Sequence, residues 1–140
     1  MATVTKFEEL DVWQKARLLE NKVFELTTSG KLSRDFSLKD QINRSSGSVM
    51  DNIAEGFGRG SKNEFVQFLS IARGSLAEVQ SQLHRCFDRE YISQEISDTH
   101  YLLAEEVAKM LTAFIHYLNK SDIRGDKFKN RNTASPNSKL

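Results

Sequence analysis

The chain holds one proline, one cysteine and seven glycines, and no apolar run approaches the length of a membrane span. Each shortage excludes something. With so few breakers, long helices run uninterrupted. Cys86 stands alone, so no intrachain disulfide forms, and nothing points to an oxidising compartment. The opening MATVTKFEEL lacks the apolar stretch of a signal peptide, so the expectation is a cytoplasmic protein without membrane contact. The sequon at Asn43-Arg44-Ser45 carries no meaning without secretion. No strand-like alternation and no internal repeat competes with a helical reading.

What is present is ordinary globular material: 140 residues, 39% hydrophobic and 28% charged, enough for one domain with one core. Val12, Ala16, Leu19, Val23 and Leu26 recur at helical spacing and predict a first helix over 10–29, widened by Trp13 and Phe24 and closed by Gly30. Leu38, Ile42, Ser45, Val49, Ile53 and Phe57 predict a second over 37–57, capped by Ser37 and ended by the flexible GFGRG. Ser-Lys-Asn-Glu at 61–64 reads as a capping box. It opens a third helix in which Phe65, Leu69, Ala72, Leu76, Val79 and Leu83 run to about Asp88. Ser93 caps a fourth, with Ile96, His100, Leu103, Val107, Met110 or Leu111, and Phe114 leading to Leu118. Four amphipathic helices with short connections predict an all-α, antiparallel up-down-up-down bundle over residues 1–118.

The net charge of +1 conceals an asymmetry. Residues 119–140 carry six Lys or Arg and two Asp, a net of +4, which leaves the rest at −3. This basic tail has no apolar periodicity and is expected to be disordered.

Several chemistries lack their residues. Bundle metal sites use a Glu three residues before a His, and Ser81, Ser97 and Ala113 occupy those places before His84, His100 and His116. His84 and Cys86 are two apart and point away from each other, so no local nucleophilic pair forms. GFGRGS precedes a helix but follows another helix and lacks the Lys-Ser/Thr ending of a P-loop. The expectation is a protein without catalytic residues, metal or cofactor.

One pattern stands out. Gln41, Arg44, Ser48, Asn52, Glu55 and Arg59 form an unbroken polar row beside the apolar row of the second helix. Glu64, Gln67, Ile71, Ser75, Glu78 and Gln82 flank the third helix. Antiparallel pairing would bring Arg44 near Ser75 and Glu78. Gly47 and Gly74 would let helices approach closely, although Glu55 and Arg59 also make an ordinary i,i+4 surface pair. Gln41, Arg44, Asn52, Glu55, Arg59, Lys62, Ser75 and Glu78 are the candidate interface or nucleic-acid-binding residues, and the seam is expected near a subunit boundary.

At these residues the chain resembles a known family. FEELDVWQKA, QINRSSGSVMDNIAEGFGR and EFVQFLSIARGSLAEVQSQL are similar to the four-helix-bundle proteins encoded in intervening sequences of bacterial 23S ribosomal RNA. The likeness covers about residues 7–118. The family pattern matches Trp13 to Ala16, Gln41 with Arg44, Asn52 to Gly56 followed by Arg59, and Gly74 to Glu78. Ser45, Ser46 and Gly47 depart from the Ala and bulky aliphatics usual after that Arg. The resemblance implies antiparallel bundles assembled as homopentameric rings. The accessory protein of diversity-generating retroelements is similar, and it implies binding to nucleic acid. Two readings follow: an oligomeric binder of RNA or DNA, with structured RNA favoured, or a scaffold for a protein partner.

Overall fold

The computed structural model describes residues 3–121. The expected disordered tail lies outside the described residues except at its first positions. Among the described residues there are four α-helices and no strand: α1 (Asp11–Leu26), α2 (Phe36–Gly58), α3 (Lys62–Asp88) and α4 (Gln94–Lys120). Short 3-10 turns at Phe7–Glu9 and Leu32–Arg34 precede α1 and α2.

The apolar stripes meet as their periodicity requires. α1 and α3 each pack on both α2 and α4. The core takes Leu19 and Val23 from α1, Ile42, Val49 and Ile53 from α2, Leu69, Leu76 and Val79 from α3, and Val107, Leu111 and Leu118 from α4. Each such side chain contributes roughly 1.5–3 kcal/mol by leaving water. Phe65 sits at the centre, edge-on to Phe57 at 5.9 Å and to Phe114 at 5.3 Å, the arrangement that ring quadrupoles favour.

Several boundaries differ from the sequence-based expectation. α1 stops at Leu26, because the Thr27 and Thr28 hydroxyls donate to the carbonyls of Phe24 and Glu25. α2 is capped by Asp35 rather than Ser37. The Asp35 carboxylate accepts from the Leu38 amide at 3.2 Å. GFGRG ends α2 as expected, one residue later than the apolar stripe suggests: the helix runs through Gly58, and the turn is made by Gly60 at φ +78°. Ser61 accepts from the Glu64 amide as expected, but Glu64 turns its carboxylate to Arg59 at 3.8 Å, so the reciprocal half of the box is unmade. Ser93 caps α4 as expected. On α4, Ile96 is exposed and the neighbouring Ser97 takes the buried position. Phe24 also faces outward.

The close approach of α2 to α3 occurs at Gly56, not at Gly47 or Gly74. A Cβ on Gly56 would stand 2.6 Å from Phe68 Cβ and 3.0 Å from Phe65 Cδ1, whereas a Cβ at Gly47 or Gly74 would meet nothing within 4 Å.

Asp35 also ties three elements together. Beyond its cap, Oδ2 accepts from Arg89 Nη1 and from the Tyr91 hydroxyl, each at 2.8 Å. The start of α2 is thereby fixed to the α3–α4 turn. The Tyr91 hydrogen bond above all, with the Leu38 amide and Arg89, holds the Asp35 carboxyl below its ordinary 3.8, and the same bond raises the Tyr91 phenol above its ordinary 10.0.

Urea unfolding tests the glycine assignment. Gly56→Ala is expected to lose about 1–3 kcal/mol through overpacking, while Gly74→Ala gains up to about 1 kcal/mol of helix propensity. Equal midpoints for both variants would disprove the close approach at Gly56.

The Asp35 cluster gives a pH signature. The stability gap between the native chain and Asp35→Asn should be full above pH 3.8 and close as the pH falls through the lower folded-state value. The Tyr91 contribution should be full below pH 10.0 and fade as the pH rises through its raised folded-state value. Unfolding midpoints measured across the pH range check both arms.

Candidate functional site

The polar row of α2 does face α3, though not through the contacts expected. Ser48 Oγ meets Ser75 Oγ at 2.9 Å, Ser45 Oγ donates to Glu78 Oε1 at 3.4 Å, and Arg85 Nη1 donates to Gln41 Oε1 at 2.9 Å. Along this seam residue numbers rise on α2 as they fall on α3. Asn52 Nδ2 donates to the Ser48 carbonyl at 2.8 Å and to its hydroxyl at 2.9 Å, which orients Ser48 toward Ser75.

Arg44 does not pair with Glu78 or Ser75. It bonds Asp40, one turn back, through Nε at 3.0 Å, and its side chain is 79% exposed. The neighbouring Ser45, about 100° further round the helix, takes the place facing Glu78. Glu55 and Arg59 form their i,i+4 pair at 2.9 Å. Arg59 also lies 5.1 Å over the Phe68 ring, a cation–π contact that reaches α3. Within one chain these pairs are solvent-exposed and contribute little. Lys62 stands apart from the row: its Nζ donates to the Ser121 carbonyl at 3.2 Å, at the end of α4.

At the Gln41 end the seam opens into a cleft of about 450 Å³, lined by Gln41, Arg44, Ser45, Ser48, Glu78, Ser81, Gln82 and Arg85. Two of these, Arg85 and Gln82, carry chemistry although neither is among the candidate residues; the sequence places Gln82 only on the third-helix flank. Arg85 is half-buried and has no carboxylate within 4.0 Å among the described residues, its bond being to the neutral Gln41 amide. Gln82 is only 9% exposed, and its Oε1 has no partner among the described residues. The signal that could have found Arg85 is the continuation of the α3 flank from Glu78 and Gln82 by one more helical step.

His100 Nδ1 bonds the Ile96 carbonyl at 2.8 Å, a local helix contact. Among the described residues no three metal-ligating side chains converge, and no helix is long and apolar enough to cross a membrane. Cys86 is buried in the core, and burial pushes its thiol up to about 11.

These features define a small all-α bundle whose second and third helices meet along a polar seam that widens to a cleft at one end. The chain belongs to the 23S rRNA-intervening sequence protein family, whose model matches residues 8–113. It is similar in fold to a protein of unknown function from the S23 ribosomal protein family of Bacteroides thetaiotaomicron VPI-5482, known from its crystal structure. The TM-score is 0.68 at 24% identity, over 74% of this chain and 97% of that one. No curated protein matches.

The thiol offers a check on the packing of α3. At about pH 8, Cys86 should resist iodoacetamide in the folded protein and react freely in urea, since the thiolate is the nucleophile. Rapid labelling without denaturant would contradict its burial.

Proposed function

We propose that this protein is a non-enzymatic, cytoplasmic bundle of antiparallel up-down-up-down topology that assembles as a cyclic homopentamer and binds structured RNA. The observation that carries the reading is charge segregation: residues 119–140 at net +4 against −3 for the remainder. Repeating such a segment around a ring multiplies its attraction for phosphate, and the affinity then falls steeply with salt. The opposed numbering of α2 and α3 along the seam supports the topology. Five copies close only through a head-to-tail contact. We assign the Asn52–Glu55–Arg59 half of the seam to the subunit boundary and the half lined by Gln41, Arg44 and Glu78 to ligand.

A second reading is a scaffold for a protein partner; Phe36 at 74% exposure and Leu102 at 66% are the apolar side chains such a partner could cover.

Titrating RNA binding against salt separates the two readings. The full chain is expected to bind at low salt, with log affinity falling linearly in log salt. A chain ending at Ser121 should bind more weakly and with a clearly shallower slope. Light scattering should return a five-fold mass, reduced by Glu55→Lys. Negligible affinity of the full chain at low salt would remove the nucleic-acid reading and leave the scaffold.

A further inference from the structure

The cleft between α2 and α3 contains unmet demands of three kinds. Arg85 is a half-buried guanidinium with no acid beside it among the described residues. Glu78 is a carboxylate with no cation within 4.0 Å among them, and the Ser45 hydroxyl that reaches it at 3.4 Å is shared with the Gln41 carbonyl at 3.0 Å. Gln82 Oε1, between them on the same helix flank, accepts nothing among the described residues. Glu78, Gln82 and Arg85 are spaced four and three apart, so they line one side of the cleft in that order. Arg44 stands on the opposite wall, tied to Asp40 through Nε. A matching ligand carries an anionic group at the arginine end and a donor edge of N–H groups at the Glu78 end. A volume of about 450 Å³ admits a unit of several rings and a phosphate.

We propose that the cleft holds one unstacked nucleotide of an RNA strand, its phosphate on Arg85 and Arg44 and the N–H edge of its base on Glu78 and Gln82. The proposal rests on the RNA reading above and names the part of the protein that would read a base. Guanidinium suits phosphate because its planar fork matches two oxygens at once. Single-stranded RNA is read in this manner, by side chains bonding the exposed edges of splayed bases. No aromatic ring lines the cleft, so stacking on a side chain does not help, and the base edge supplies the discrimination. The two acceptors favour a base that presents an amino group. Cytosine offers its N4 amino group where uracil offers an acceptor, and the two are otherwise alike in size.

The test compares twelve-nucleotide oligocytidylate and oligouridylate on the full chain, so that the phosphate count is constant. The wild type is expected to bind the cytidylate about tenfold more tightly, the ratio one good base contact supplies. Glu78→Gln and Gln82→Met should each erase that preference, bringing the cytidylate-to-uridylate affinity ratio to about 1. Arg85→Gln should weaken both oligomers equally and lower the salt slope by about 1, as loss of one phosphate contact does. Circular dichroism and unfolding midpoints establish that the three variants fold. Equal affinity for the two oligomers, or a preference that survives both Glu78→Gln and Gln82→Met, would overturn the cleft proposal while the RNA reading stands. Binding of neither oligomer nor any structured RNA would end both. Free cytidine monophosphate binding as tightly as the oligomer would show a small-molecule site and overturn the assignment to a strand.

Discussion

The approach of α2 to α3 at Gly56 is the constraint on which the rest of the molecule turns. With no Cβ in the way, the Phe68 and Phe65 side chains lie against the α2 backbone. Phe65 in turn meets Phe57 and Phe114 edge-on, which carries the contact into α4. Further along the seam, hydroxyls replace larger side chains and Ser48 touches Ser75. The cleft lies at the Gln41 end of the seam, where Ser45, Ser48 and Ser81 leave room between longer polar side chains. Buried polar groups there are satisfied mostly within the seam, with Gln82 Oε1 the exception.

The opposite edge of the seam is secured differently. Asp35 caps α2 and binds Arg89 and Tyr91, so one carboxylate holds a helix start to the turn between the next two helices. This anchor lies beyond Gln41 and Arg85, at the open end of the cleft. It limits how far α2 and α3 can splay there without losing three hydrogen bonds together.

The helices themselves were legible because their cause is local. Apolar spacing fixes which face is buried, and a serine before a helix, as at Ser61 and Ser93, reveals its cap within four residues. What failed depends on partners far away in the chain. Periodicity does not set the rotation of one helix against another, so Arg44 was expected opposite Glu78 when its neighbour Ser45 stands there. Gly47 and Gly74 drew attention because glycine weakens helices, yet the glycine that matters is Gly56, whose neighbours come from the next helix. Ser37 reads as the cap of α2, yet Asp35, three residues before Leu38, takes that place while also bonding Arg89 and Tyr91 more than fifty positions away. The polar row was visible as a pattern. Its conversion into a cleft with unpaired groups required knowing what lies across it.

One contact sets a length scale. Lys62 Nζ holds the Ser121 carbonyl, so the chain leaves α4 beside the first turn of α3. Arg85 lies near the far end of the same helix, 23 residues on, which at 1.5 Å per residue is roughly 35 Å away. The point where the chain leaves α4 and the cleft therefore sit at opposite poles of the bundle. A ligand that engages both has to be extended enough to run the length of α3, and a short one touches a single pole.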